Sequence, residues 1–343
     1  MSPLRFILIV CICHCTALGF GAERRPNVFI AISDDQSWPH ASAYGSKMVD
    51  TPAFDRIARE GVLFTQAFCP SPGCSPSRAA LLTGRHTWQL EHAGTHGSYF
   101  HAKYETFPDR LEQAGYAVAS TGKGWGPGDF AHLGRAHNPA GRQIKPPKKA
   151  NGRPDYAAAF RQFFYERRPT QPFCFWFGSS DAHRSYEFGS GQRAGKRLTS
   201  AEVPPFLPDA PEVRSDLLDY AWEVERFDRD VASMLELLEA AGELDNTLVI
   251  VTSDNGMPFP RAKANCYEYG IHMPLAVRWG DRAPPGRNVN DLISFVDLTA
   301  TIYEATGVAA PALYPPVGRS VVRLLTSPSQ GIVEPERNAV YAA

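Results

Sequence analysis

The sequence predicts an α/β fold with a large, mostly parallel central sheet flanked by helices on both faces. Apolar runs with strand character alternate along the chain with helical stretches, a pattern that is typical of parallel sheets. Short polar clusters follow the strand-like runs. With 343 residues, of which 43% are hydrophobic and 21% charged, the chain is long enough to bury the core that such a sheet requires.

Four strands and three helices are predicted in chain order. The strands are short apolar runs at residues 28–32, 116–119, 173–177 and 248–251. The helices are predicted at residues 52–60, 108–114 and about 215–241. In the last helix, apolar residues recur at three- and four-residue steps from Leu217 to Leu238, and Gly242 follows the last of them. We interpret this long helix as scaffold.

Residues 1–22 are typical of a secretory signal peptide. Arg5 precedes an apolar run at residues 6–15, and small residues up to Ala22 offer cleavage points. The run is shorter than the roughly 20 apolar residues that span a bilayer, and no other segment is a candidate for a stable membrane span. We therefore predict a secreted or periplasmic protein, lysosomal in a eukaryote, with one domain over residues 23–343. The net charge of −1 argues against nucleic acid as a partner.

The most specific motif in the chain is CSPSR at residues 74–78, followed by LLTGR at residues 81–85. It predicts a turn that opens a helix, with Ser75 as the N-cap and Pro76 at the first helical position. Cys74 would then lie at the positive end of the helix, where backbone donors favour an anion. A lone cysteine without these neighbours is more often a buried thiol or half of a disulfide.

Polar residues follow each of the four predicted strands. Asp34 and Asp35 come after the first strand, Lys123 after the second and His183 after the third. The fourth strand is followed by Asp254 and Asn255. Because ligands bind beyond the carboxyl ends of parallel strands, we expect these side chains to converge.

Three of these residues, together with Asn255, form an oxygen-only ligand set. Asp34, Asp35 and Asp254 supply three negative charges, which suits Ca²⁺ or Mg²⁺ better than zinc or copper. The alternative is that these residues are ordinary capping and turn residues at strand ends.

The motif at residues 74–85, together with the acidic pairs, resembles the signature of the sulfatase family, the formylglycine-dependent enzymes of the alkaline phosphatase superfamily. The resemblance implies an alkaline-phosphatase-like sulfatase fold and conversion of Cys74 to formylglycine by a formylglycine-generating or anaerobic sulfatase-maturating enzyme. It also implies one Ca²⁺, in preference to Mg²⁺, held by Asp34, Asp35, Asp254, Asn255 and the modified residue 74. The hydrated aldehyde would accept the sulfuryl group and later expel sulfate.

The resemblance also assigns roles to four basic residues. Lys123, His183 and Lys263 match positions at which the family binds sulfate or protonates the leaving oxygen. Arg78 follows Cys74 by one helical turn and would reach back toward it. Taken singly, the lysines would more often be surface residues and His183 a hydrogen-bonded loop residue.

Within the family, the chain resembles the heparan N-sulfatase (sulfamidase) branch. The shared motifs are DAHR at residues 181–184 and DNGMPFP at residues 254–260, and they favour an N-sulfated or O-sulfated sugar or glycosaminoglycan as substrate.

The chain departs from the family pattern in two places. The family's usual GKWH is GKGW at residues 122–125, which leaves His86, His92 and His96 as other candidate bases. The chain also stops at Ala343, where the family continues into a smaller C-terminal domain, so we expect that domain to be largely missing.

Two other functions, and two interpretations of the segment 135–153, remain open. The first function is a phosphatase or phosphodiesterase of the same superfamily, which would use two zinc ions, and the second is a non-catalytic protein that binds sulfated glycans. The segment 135–153, rich in proline, glycine and basic residues, is either a solvated loop or a basic rim for a polyanionic sugar chain. If Cys74 is modified, Cys69, Cys174 and Cys266 allow at most one disulfide.

Overall fold

A central eight-stranded sheet organises the protein in a computed structural model that describes residues 24–343. The predicted signal peptide lies outside the described residues. The strands are β1 Asn27–Ser33, β2 Val62–Phe68, β3 Ser98–Tyr99, β4 Ala117–Gly122, β5 Gly128–Asp129, β6 Phe173–Gly178, β7 Thr247–Ser253, β8 His272–Arg278, β9 Arg287–Val289 and β10 Ile293–Ser294. Strands β3 and β5 pair with each other in a separate two-stranded sheet.

The strand order in the main sheet is β10-β2-β8-β7-β1-β6-β4, and β9 also pairs with β2. Every pairing is parallel except those of β8, which runs antiparallel to both β2 and β7. The prediction of a mostly parallel sheet is confirmed. Strands β1, β2, β4, β6 and β7 all run in the same direction. The residues that follow them therefore lie at the same end of the sheet, beyond the carboxyl ends of the strands.

Helices cover both faces of this sheet, as predicted. They are α1 Pro52–Glu60, α2 Cys74–Thr83, α3 Phe107–Gln113, α4 Tyr156–Glu166, α5 Ser190–Arg193, α6 Pro211–Ala240, α7 Glu268–Ile271, α8 Phe295–Thr306 and α9 Val322–Thr326. Alternate residues of β1 enter different cores: Ile30 belongs to a core that includes residues of α2, α3 and α8, whereas Phe29 belongs to a core that includes residues of α1, α4 and α6. No helix within residues 24–343 is long and apolar enough to cross a membrane.

The predicted strands and helices are all present, with ends that move by up to four residues. The sequence did not predict strands β2 and β8 or helix α4. Pro274 lies within β8, and two adjacent polar residues, Thr65 and Gln66, divide the apolar residues of β2, so neither segment shows an unbroken strand pattern in the sequence. In α4, five aromatic residues among eleven obscure the helical period.

Part of the basic segment 135–153 lies along the edge strand β4. Ser120 donates its N–H to the Arg142 carbonyl at 2.8 Å, and Ile144 donates to the Ser120 carbonyl at 2.7 Å. Lys149 pairs with Asp230 at 2.8 Å, so its charge is matched by the protein itself. The segment therefore covers an otherwise open sheet edge.

Candidate active site

Cys74 is the first residue of α2 and is buried. Gly73, in an extended conformation, is the N-cap, so the prediction of Ser75 as the cap and Pro76 as the first helical residue was wrong. The Ser75 hydroxyl instead accepts the backbone N–H of Gly97 at 3.2 Å. The expected position of Cys74 at the positive end of the helix is confirmed.

Strand register brings the acidic residues together around Cys74. Ser33 at the end of β1 pairs with Ser253 at the end of β7, so the residues that follow these strands are neighbours. Ligand-capable atoms of Asp34, Asp35, Cys74 and Asp254 all lie within 4.8 Å of one another, and all four residues are buried. The predicted convergence of these side chains is confirmed.

The donor set of this cluster fits a hard cation. Asn255 donates its Nδ2 to Asp35 Oδ1 at 2.8 Å, but its buried Oδ1 has no hydrogen-bond partner. A buried carbonyl oxygen without a partner costs free energy unless it binds a ligand. Carboxylate and amide oxygens are the ligands that Ca²⁺ and Mg²⁺ prefer, so the residues fit such an ion.

Three basic side chains are paired with the three carboxylates. Lys123 Nζ lies 2.6 Å from Asp34 Oδ2, and Lys263 Nζ lies 2.7 Å from Asp35 Oδ2. Arg78 is fully buried, and its Nε donates to Asp254 Oδ2 at 2.7 Å while its Nη1 donates to the carbonyls of Lys123 and Gly124. Its Nη2 has no partner and is available to an anion.

Burial and charge set the protonation of the cluster. Burial, together with Asp254 and Asp34, raises the pKa of the Cys74 thiol well above its usual range, so the thiol is neutral. Burial and the charge of Asp254 raise the pKa of Asp34 to about 6. Burial also acts to raise the pKa of Asp254, but Arg78 and Lys123 outweigh it and hold that pKa below its usual range.

His183 lies at the wall of a cleft of about 920 Å³ that also reaches Asp34 and Lys123. Its Nε2 is 3.8 Å from Asp35 Oδ2, and its Nδ1 is 2.5 Å from the Arg184 carbonyl. His183 therefore joins the cluster from the solvent side. Arg184 forms an ion pair with Asp216.

The same cleft is lined by further charged residues, among them Arg153 at the end of the segment 135–153, for which a basic rim was one of the two predicted alternatives. Arg153 pairs with Asp181 and lies 3.7 Å from Glu223, and Arg226 also pairs with Glu223. Glu223 and Arg226 belong to α6, so the interpretation of that helix as scaffold alone was incomplete. Helical periodicity identifies the apolar face of a helix, but it does not tell which polar residues face a cleft.

A second cleft, of about 770 Å³, is lined in part by Lys263. It is lined mainly by apolar groups, among them Pro258 and Phe259, and includes His96. The other two candidate histidines lie elsewhere: His86 stacks on Trp88 with ring centroids 4.3 Å apart, and His92 contacts Tyr99 edge-on. Of the three, only His96 lines a cleft that reaches one of the cluster's lysines.

Comparison with known proteins decides the family. The family model described as "Sulfatase" matches residues 26–308, most of the chain. The chain belongs to the sulfatase family. Curated relatives include human N-sulphoglucosamine sulphohydrolase, 30% identical over 86% of this chain and 63% of its own length, and dog N-acetylgalactosamine-6-sulfatase, 27% identical over 85% and 64%. The chain thus spans slightly less than two thirds of these relatives.

Solved structures show that the sulfatase chain shares its fold with enzymes of differing substrates. One neighbour, solved in complex with its substrate D-glucosamine-2-N,6-O-disulfate, has a TM-score of 0.70 and 20% identity and covers 92% of this chain and 82% of its own. A phosphonate monoester hydrolase from Silicibacter pomeroyi has a TM-score of 0.63 and 18% identity and covers 89% and 78%. These likenesses confirm the predicted fold class.

Proposed function

We propose that this protein hydrolyses a sulfate ester or a sulfamate of a sulfated carbohydrate, with residue 74 as the nucleophile. The observation that carries the proposal is the position of residue 74 at the N-terminus of α2, among three buried carboxylates and two lysines. The similarity to an N-sulphoglucosamine sulphohydrolase supports a sulfated amino sugar or glycosaminoglycan as the substrate class.

Residue 74 fits formylglycine better than a thiol nucleophile. A cysteine nucleophile acts as the thiolate, and burial beside Asp34 and Asp254 disfavours that form. Formylglycine would supply a hydrated aldehyde, a neutral nucleophile with a second hydroxyl through which the protein can release sulfate. The conversion requires a formylglycine-generating or anaerobic sulfatase-maturating enzyme as a partner.

Asp34, Asp35, Asp254, Asn255 and residue 74 would hold one Ca²⁺, in preference to Mg²⁺. The partnerless Oδ1 of Asn255 and the three neighbouring carboxylates support this set. Such an ion would supply a positive charge that polarises a sulfate oxygen.

The basic side chains would bind and orient the sulfate group. Lys123 and Lys263 keep their positive charges, because for each of them the attraction of nearby carboxylates outweighs burial and raises the pKa. Arg78 would direct its free Nη2 toward the same anion. His183, at the mouth of the larger cleft, would exchange a proton with the leaving oxygen. Charge placed in this way stabilises the anion that develops as the sulfur–oxygen bond breaks.

We also propose that residues 1–22 direct secretion or export to a periplasm, or entry to a lysosome in a eukaryote. Residues 23–343 would then form the mature sulfatase domain. N-terminal sequencing of protein secreted by its host would give a start near residue 23. Retention of Arg5 in the secreted protein would contradict the signal-peptide assignment.

The function is tested by turnover of defined substrates. Purified protein, co-expressed with a maturation enzyme, is offered glucosamine N-sulfate, glucosamine 6-sulfate, 4-nitrophenyl sulfate and 4-nitrophenyl phosphate, and the anion released is measured by ion chromatography. We expect sulfate release from at least one sulfated sugar. Preferential phosphate release with two bound zinc ions would favour the phosphatase alternative. Binding of sulfated sugars without turnover would favour the glycan-binding alternative.

A further inference from the structure

Outside the charged cluster, the larger cleft carries equal numbers of positive and negative side chains. Besides Asp34, Lys123 and His183, it is lined by three arginines and three carboxylates: Arg153, Arg184, Arg226, Asp181, Glu187 and Glu223. The formal charges of these six side chains cancel. A surface that attracts a polyanion instead carries an excess of positive charge.

Asp181 joins this part of the cleft to the charged cluster. The N–H of Asp34 donates to the Asp181 carbonyl at 2.8 Å, and the N–H of Ala182 donates to the Asp34 carbonyl at 2.8 Å. Asp34 and Lys123 line the same cleft. A sugar bound through its reacting sulfate would therefore extend into this cleft, and its other substituents would meet Asp181 and the side chains around it.

Two of the arginines are matched by two buried carboxylates. Arg153 pairs with Asp181 and lies 3.7 Å from Glu223, and Arg226 pairs with the same glutamate. The side chains of Asp181 and Glu223 are only 9% and 8% exposed. Glu223 is thus the carboxylate that both arginines share, and it reaches the cleft from α6.

The third arginine is also committed to the protein. Arg184 donates from Nη1 to Asp216 Oδ1 at 3.0 Å and from Nε to the Pro258 carbonyl at 3.0 Å. Its guanidinium carbon lies 4.7 Å from the ring centroids of Tyr186 and Phe259. An anion that bound Arg184 in the cleft would have to compete with Asp216.

Hydroxyl groups suit such a wall better than a second anionic group does. A hydroxyl group donates to a carboxylate and accepts from a guanidinium, so it can bind without breaking the ion pairs. A sulfate or carboxylate group of the substrate only accepts hydrogen bonds. Beside Glu223 it would meet a like charge in a partly buried site, where repulsion is stronger than in water.

We propose that the larger cleft binds the uncharged, hydroxyl-bearing part of a sugar and selects substrates whose only anionic group is the sulfate to be removed. This inference rests on the proposed function and narrows its substrate class to singly sulfated sugars. Glu223 determines this specificity, because its charge balances both Arg153 and Arg226.

The test compares kcat/KM for singly and doubly sulfated sugars at one pH and one ionic strength. Release of N-sulfate is compared between glucosamine N-sulfate and glucosamine N,6-disulfate. Release of 6-sulfate is compared between N-acetylglucosamine 6-sulfate and the same disulfate. If the enzyme turns over none of these sugars, their inhibition constants against 4-nitrophenyl sulfate are compared instead. We expect the singly sulfated sugar to be preferred by about 10-fold or more.

Two variants of α6 should change this preference in opposite directions. Glu223→Gln removes a negative charge and should bring the two kcat/KM values to within about threefold of each other. Arg226→Gln removes a positive charge and should increase the preference. The control Glu236→Gln removes a negative charge from an exposed position of the same helix, outside the residues that line the cleft, and should leave the preference unchanged. Thermal unfolding checks that each variant folds.

A wild-type protein that processes or binds the doubly sulfated sugar as well as the singly sulfated one would overturn the inference and leave the proposed function standing. The same holds if both folded variants change the preference in the same direction, as a purely structural role would predict. If a variant does not fold, the wild-type comparison decides alone. A wild-type protein that is fully converted at residue 74 but releases no sulfate from any substrate would overturn both.

Discussion

The aromatic layer between the sheet and α4 and the charged cluster at the end of β1 are both buried, yet burial has opposite consequences in them. In the aromatic layer, the ring of Phe160 lies 5.4 Å from that of Phe29 and 4.7 Å from that of Phe175, and the contacts are apolar. The charged cluster instead buries three carboxylates, and Arg78 Nη2 and Asn255 Oδ1 lack partners there.

The aromatic layer stabilises the fold, whereas the charged cluster lowers its stability. Removing apolar surface from water stabilises the aromatic layer. Desolvated like charges and unsatisfied polar atoms destabilise the cluster unless a cation and an anion complete it. Substitutions in the first region should therefore change stability, and substitutions in the second should change binding and turnover.

The largest expected effect is that of Cys74→Ala on activity. Because the variant lacks the nucleophile, sulfate release should fall about 10⁴-fold or more, with little change in the melting temperature. The matched control is Cys174→Ala, which removes a buried thiol from β6, far along the chain from the motif. The control should keep its activity. An active Cys74→Ala variant would contradict the claim that the charged cluster contains the nucleophile.

Phe160→Ala should show the reverse behaviour. Truncation of this buried ring should lower the free energy of unfolding by about 3–5 kcal/mol, as measured by urea denaturation, while the turnover per folded molecule stays near that of the wild type. Phe188, which is 83% exposed, supplies the control substitution Phe188→Ala and should cost little stability. An intact stability for Phe160→Ala would show that the aromatic layer does not support the fold as described.

Calcium should stabilise the protein through the charged cluster and not through the aromatic layer. At a concentration 100 times its Kd, Ca²⁺ should add about 2.7 kcal/mol of stability, measured as a rise in melting temperature over EDTA-treated protein. Asn255→Ala should lose most of this rise, whereas Asn246→Ala, which directly precedes β7 and so lies at the opposite end of that strand, should retain it. An equal rise in both variants would place the ion elsewhere.

Asp228 provides a smaller test, because it is a buried carboxylate outside the cluster. It accepts the N–H groups of Ala53 and Phe54 at the start of α1, yet burial raises its pKa to about 7. The folded state thus binds this proton more tightly than the unfolded chain, so this residue makes stability fall as the pH rises from about 4 to 7. In Asp228→Asn, that part of the pH dependence of unfolding should be absent, and an unchanged pH profile would contradict the assignment.

Much of the charged cluster could be predicted from the sequence because parallel strands impose a simple rule. Asp34 and Asp254 each follow a strand whose apolar run is unbroken, and strands that run in parallel bring such residues to one edge. The position of Cys74 at a helix start followed from local helix signals, although the cap was misplaced. The partnering of Lys123 with Asp34 depends on three-dimensional packing and could not be predicted.

Other parts of the structure lacked a local signal. Strand β8 contains Pro274, and β2 changes register after Phe64, so their pairing depends on the rest of the sheet. The contribution of Glu223 to the larger cleft depends on how α6 is rotated against the core. His96 is placed by a hydrogen bond from Gly97 to a residue 22 positions earlier in the chain, a contact without a sequence pattern.

The most direct test of the central claim is the mass of the tryptic peptide that contains residue 74, taken from protein with measured sulfatase turnover. The account predicts an aldehyde in place of the thiol, in proportion to the active fraction of the preparation. Fully active protein whose peptide carries only unmodified cysteine would contradict it.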